Sequence, residues 1–172
     1  EGDDWWINKS KLQKQIDHMK LNKACSLCGH NAYRIQEDDG TLSMFSQIKD
    51  STKLSTKQIM KEWLIPTCSI VYRRELLKSP SWELRISNGD LVVQIELSQR
   101  GSIYYIADIM GSYRIHEGGL TDEAKSNLKN YIKTQIELNT FLLFYVRPNI
   151  WISCLDKIAR YSLSYLKSIF KD

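Results

Sequence analysis

Between residues 8 and 22 the apolar positions Leu12, Ile16, Met19 and Leu21 recur at helical spacing, with lysines opposite, and predict an amphipathic helix. Residues 24–36 mix small, polar and β-leaning side chains, and Glu37-Asp38-Asp39-Gly40 after them reads as a hairpin turn. The polar stretch 43–53 reads as a loop. A short helix over 55–63 begins at Ser55 or Thr56 and stops before Pro66. Residues 67–73, rich in β-branched and aromatic side chains, predict a buried strand, and Pro80, Ser81 and Trp82 a loop. From 90 to 99 the pattern turns helical again through Leu91, Val92, Ile95 and Leu97, ending at an Arg100-Gly101 C-cap. Two strands follow, 103–109 and 112–115, and then two long helices, 122–145 and 150–170. Strands and helices alternate as far as His116 and helices finish the chain, which predicts one α/β layer with a helical tail.

Composition narrows the picture. With 172 residues the chain has room for one ordinary domain. At 42% hydrophobic and 26% charged residues it has a globular profile, outside the disordered and collagen-like classes. The net charge of +4 is too small for a nucleic-acid footprint, and most of the excess lies in the stretch that starts with Arg147. No apolar run reaches the roughly 18 residues of a membrane span. The chain opens on acidic residues where a signal peptide would be basic, and its four cysteines are too sparse for a disulfide scaffold. These features point to the cytoplasm. An acidic motif at the first position, where termini fray, suggests a piece of a longer protein.

Four places could carry chemistry. Glu1-Gly2-Asp3-Asp4 packs three carboxylates into four residues, which repel unless a cation or several donors offset them; the bland alternative is a solvated terminus. Asp90, at a loop-to-helix junction, is either an N-cap or a general base. His116 ends a strand ahead of Gly118-Gly119, where open α/β sheets place ligands, and could complete a metal shell begun by carboxylates. Cys25, Cys28 and His30 have metal-like spacing, but Cys68 and Cys154 form no second pair, so small strand residues are the better reading.

Taken in order, EGDDWW, KLQKQIDHM, His30-Asn31, IPTCSIVYRRELL (65–77), the Trp82 loop, GDLVVQIELSQRG (89–101) and YYIADIMGSYRIHEGGLT (104–121) resemble the second half of the catalytic domain of a bacterial family 2 glycosyltransferase. The resemblance implies a partial GT-A fold over 1–121, lacking its N-terminal nucleotide-binding half, with 122–172 as an appended helical tail. It implies Glu1, Asp3 and Asp4 at the nucleotide-sugar, Asp3 and His116 on a Mn²⁺ or Mg²⁺ ion, Asp90 as the catalytic base and Trp82 on the acceptor side. The family often has an acidic residue before that base, where this chain has Gly89. The expected activity is sugar transfer to a glycan or lipid-linked acceptor in surface-polysaccharide assembly, with no nucleic acid involved. Two nucleotide-binding units need roughly sixty residues, so the chain alone is expected to be inactive. An unpaired sheet edge left by their absence would invite a homo-oligomer. Along the tail, Trp151, Cys154, Leu155, Ile158, Tyr161, Tyr165, Leu166, Ile169 and Phe170 recur at helical spacing, with Lys157, Arg160 and Lys167 elsewhere on the wheel. That pattern suits an anionic membrane surface at the inner face of the plasma membrane, or a helix packed within the protein. The alternative to an enzyme is a non-catalytic remnant that binds membrane or partner.

Overall fold

The computed structural model describes residues 3–78, 89–117 and 127–169. The chain is mixed α/β and divides into two compact units. One takes in residues 3–78 and 90–116; the other holds Gly89 and the described residues from 117 onward.

The first unit is built on two long strands, β2 (Cys25–Gln36) and β6 (Ser102–Ile115), which pair in parallel along almost their whole length. Four short antiparallel strands flank them. On the outer side of β6 lie β1 (Trp5–Trp6) and β4 (Thr52–Leu54); on the outer side of β2 lie β3 (Leu42–Met44) and β5 (Val71–Tyr72). Residues 25–32 are buried without a break, as expected of a parallel strand covered on both faces. A register irregularity between Cys25 and Leu27 brings Cys25 and Cys28 into one cluster with Met19, Ile106 and Met110. Both cysteines are core side chains on a strand.

Helix α1 (Lys11–Leu21) lies where the periodicity places it, but turned about its axis. Its buried face is Lys11, Gln15 and Met19, while Leu12, Ile16 and Leu21 remain exposed. A polar anchor is the reason: the Gln15 amide donates to the carbonyls of Cys28 and Ser69, both at 2.7 Å. Lys11 follows it inward and rests its ammonium 4.1 Å from the Trp6 ring centre.

Helix α2 (Thr56–Lys61) opens on a capping box, with Ser55 N–H donating to Gln58 and Gln58 N–H donating back to the Ser55 hydroxyl. The predicted strand over 67–73 is shorter than its composition suggests. Thr67–Ser69 forms a 3-10 turn, because the Ser69 hydroxyl and backbone N–H both return to the Pro66 carbonyl, and only Val71 and Tyr72 pair. The polar stretch 43–53 supplies parts of the edge strands β3 and β4, whose exposed positions need no apolar residues. The two strands expected near 103–115 are one. The loop expected at Pro80–Trp82 lies outside the described residues.

Helix α3 (Gly89–Arg100) ends at Gly101, although no left-handed cap forms there. Glycine is needed for close approach instead: a Cβ on Gly101 would stand 2.6 Å from the Ala24 carbonyl oxygen. Gly40, at φ +69°, does turn the β2–β3 hairpin in the left-handed region.

The second unit is a helical hairpin of α4 (Leu128–Tyr145) and α5 (Pro148–Ile169). Pro148 at the first helical position fixes the turn between them. The short connection between Tyr145 and Pro148 and the edge-on contact of Tyr131 with Tyr161, far from that turn on both helices, make the two helices antiparallel, and Lys133 sits over Tyr165.

His30 is fully buried, its Nδ1 is 2.6 Å from the Asn31 carbonyl, and its Nε2 has no partner among the described residues. Burial lowers its pKa to about 4, so it folds neutral, whereas the unfolded chain takes up the proton near pH 6.5. Since the unfolded state binds more protons between these values, stability falls as pH drops from about 6.5 to 4. The loss is on the order of 3 kcal/mol. The His30→Asn variant keeps a donor near the Nδ1 position but cannot titrate; urea melts at both ends of that window should show it spared this loss. An equal loss in both proteins would assign the pH dependence elsewhere.

Candidate functional site

Chain geometry gathers the candidate residues at the carboxyl end of the parallel pair. Helix α3 enters β6 through Gly101 alone, and its first turn is tied by Asp90 to Thr67, the neighbour of Cys68, whose thiol lies beside Gly111 toward the end at which β6 finishes. Asp90 occupies that turn, and His116 follows the last residue of β6. The amino-terminal segment reaches the same end by pairing Trp5 and Trp6 with Ser112 and Gly111. Open sheets bind ligands at the carboxyl ends of their parallel strands.

Asp3 and His116, 113 positions apart, meet there: His116 Nε2 lies 3.1 Å from Asp3 Oδ2. Both side chains are partly exposed. The bond to His116, first among the causes, holds the Asp3 carboxyl below its ordinary value. With Asp3 ionised, Nε2 carries the proton and donates it. That proton must leave before the nitrogen can ligate a metal, so this hydrogen bond and metal ligation are alternatives.

Asp4 points elsewhere. Its Oδ1 accepts the Arg114 backbone N–H at 2.9 Å, and its carboxylate also takes the Cys68 thiol proton in a hydrogen bond. Burial raises the Asp4 pKa, and burial together with the neighbouring Asp4 pushes Cys68 up to about 12. This thiol stays protonated and is a poor nucleophile. Around it the fit is close: a Cβ on Gly111 would stand 3.1 Å from His30 Cε1 and 3.7 Å from Cys68 Sγ. The Trp6 indole N–H donates to the Cys68 carbonyl at 3.0 Å and secures the segment from the other side.

Asp90 is not an N-cap, since α3 already includes Gly89; its Oδ2 accepts the Thr67 hydroxyl at 3.1 Å. Adjacent residues of one 3-10 turn therefore hold the two acidic regions, Thr67 on Asp90 and Cys68 on Asp4. Glu37, just past β2, pairs with the Arg114 side chain and donates its N–H to the Ile115 carbonyl, which steadies the end of β6. Glu1, Trp82 and Gly118-Gly119 lie outside the described residues.

Sequence reasoning missed Thr67, Cys68, Arg114 and Glu37. Cys68 has no second cysteine at metal-like spacing to mark it, and nothing in the sequence marks Thr67, whose register against Asp90 is set only by folding.

Among the described residues no three His, Cys, Asp or Glu side chains are grouped to hold a metal ion. Asp3 and His116 offer one hard oxygen and one imidazole nitrogen, open to solvent on one side. Two such donors do not make a closed structural site. One carboxylate and one imidazole could contribute to a divalent ion's shell only if other ligands completed it.

No protein-family model matches the chain. Its relatives include uncharacterised proteins of Mycobacterium bovis and of two strains of Mycobacterium tuberculosis. Each is 27% identical over 138 residues, covering 78% of this chain and 39% of the relative. The chain thus spans about two fifths of the length of these relatives.

Because burial is the first cause of the Asp4 shift, its folded pKa stands above the unfolded value of 3.8. The stabilising contribution is full below 3.8 and is lost as pH rises through the folded pKa, so the ionised carboxylate is a burden at neutral pH. Asp4→Asn removes that charge and keeps an acceptor for Arg114; it should unfold within about 0.5 kcal/mol of the parent at pH 7, or later. Asp4→Ala leaves the N–H without its acceptor and should lose about 1–2 kcal/mol. Equal losses in the two variants would make the charge, not the acceptor, what matters.

Proposed function

We propose that these residues belong to a metal-dependent glycosyltransferase of the GT-A fold, which moves a sugar from a nucleoside diphosphate to an acceptor hydroxyl in bacterial surface-polysaccharide assembly. The observation that carries the reading is the meeting of Asp3 and His116, with the neighbouring Asp4 and Asp90 both held by one 3-10 turn through Cys68 and Thr67. The collinear resemblance of 1–121 to family 2 glycosyltransferases expects one acidic locus for the departing diphosphate and another for the incoming hydroxyl. The mixed α/β sheet is compatible with part of that fold.

In this reading Asp3 and His116 would hold Mn²⁺ or Mg²⁺, with Glu1 nearby at the nucleotide. The ion would supply Lewis-acid stabilisation of the charge that develops on the diphosphate. Asp3, whose carboxyl is held below its ordinary value by His116, would meet the ion as a carboxylate. Asp4 serves from behind: tied to Arg114 and Cys68, it fixes the backbone from which Asp3 projects. Asp90 is the base. The Thr67 hydroxyl donates to Oδ2 and thereby orients the carboxylate, and Oδ1 would take the proton of the acceptor hydroxyl. An alcohol is a weak nucleophile until a positioned carboxylate takes its proton in the transition state. Trp82 contributes to the acceptor side by resemblance.

The test uses the full natural protein that carries these residues. Asp90→Asn should lower sugar transfer by at least about 10²-fold, the scale of a lost general base. Binding of UDP, GDP or dTDP with Mn²⁺, followed by calorimetry, should stay unchanged in that variant and weaken in Asp3→Asn. Near-normal turnover by Asp90→Asn would remove the base. If the unaltered protein binds none of these nucleotides with Mn²⁺, a non-catalytic module is the better reading.

A further inference from the structure

Helix α5 has more apolar surface than its hairpin uses. On a 100° wheel, Ile150 and Cys154 lie on the side buried in the second unit. A second sector, about 120° wide, carries Trp151, Ile152, Leu155, Leu163 and Leu166. All five are exposed, Ile152 to 78%. In the last turn of α4 Phe144 is 81% exposed as well. A helix apolar on two sides has two environments to satisfy, and α4 supplies only one of them.

The charge around the bare stripe identifies the other. The described residues of the hairpin carry six Lys or Arg against Glu137 and Asp156 alone. Asp156 is already paired with Arg160 on the same helix. Lys167 borders the stripe, and Arg147 stands at the turn below Trp151. A second copy docking stripe to stripe would bring like charges together. A bilayer rich in anionic lipid meets both demands, accepting the apolar side chains among its acyl chains and the cations at its headgroups. The 22 residues of α5 would lie flat in that interface, since no helix among the described residues is long and apolar enough to cross a membrane.

We infer that the α4–α5 hairpin is a membrane-surface anchor, in which α5 buries Trp151, Ile152, Leu155, Leu163 and Leu166 in an anionic lipid interface. The inference stands on the second unit alone and does not depend on the proposed sugar transfer.

The experiment is co-sedimentation of the 172-residue chain with phosphatidylcholine vesicles, with and without about one third phosphatidylglycerol. Anionic vesicles should bind at least about tenfold more chain than neutral ones, and salt near 0.5 M should reverse most of that gain. The double variant Ile152→Asp, Leu155→Asp should lose binding about tenfold while keeping the parent's circular-dichroism melt, because neither side chain is buried. Lys167→Glu, which leaves the apolar stripe intact, should weaken binding severalfold and supplies the reading if the double variant does not fold. Equal binding to neutral and anionic vesicles overturns the inference, as does undiminished binding by the variants. A chain that ignores vesicles but sediments as a dimer, dispersed by the double variant, overturns it in favour of a second copy.

Discussion

The parallel pairing of β2 with β6 is the constraint from which the first unit follows. A parallel pair cannot be closed by a tight turn and demands a long connection, and here that connection carries α2, the 3-10 turn and α3. Covered on both faces, the pair allows little room: glycine stands at 29 because a Cβ there would meet Ile65 at 2.3 Å, and at 101 because the Ala24 carbonyl lies so near. On that same connection the 3-10 turn, through Thr67, ties Asp90 toward the end at which β6 finishes. The meeting of distant acidic residues and a histidine is thus a product of topology, with side-chain hydrogen bonds fixing the final ångströms.

Long elements were legible in the chain because periodicity reports burial. Helices α1, α3, α4 and α5 all stand where spacing of apolar residues predicts them. What failed to show was polar anchoring. Helix α1 buries Gln15 and Lys11 in preference to Ile16 and Leu12, since two backbone carbonyls needed a donor, and no hydropathy pattern encodes such a need. Strand β2 reads weakly for a related reason. Its buried residues include Ser26, His30 and Asn31, and Asn31 clips the Phe45–Ser46 segment through both ends of its amide, a task no aliphatic side chain performs.

The candidate site divides in the same way. Asp3, Asp90 and His116 stand out in the sequence as titratable residues near turns and element ends. Their supports do not, because Thr67 and Cys68 act through register rather than through type. The distinction between Asp3 and its neighbour Asp4 is likewise invisible in a run of carboxylates. Only the fold turns one toward a histidine at the surface and the other toward a thiol and a backbone N–H.

One peptide unit, from Thr67 to Cys68, spans the two acidic regions. The two contacts therefore start from Cα atoms about 3.8 Å apart, and the turn limits how far the acidic regions can separate. Surface segments of this unit can lengthen, shorten or wander over evolutionary time without altering that limit, whereas insertion of a single residue at that point would shift both acidic regions at once.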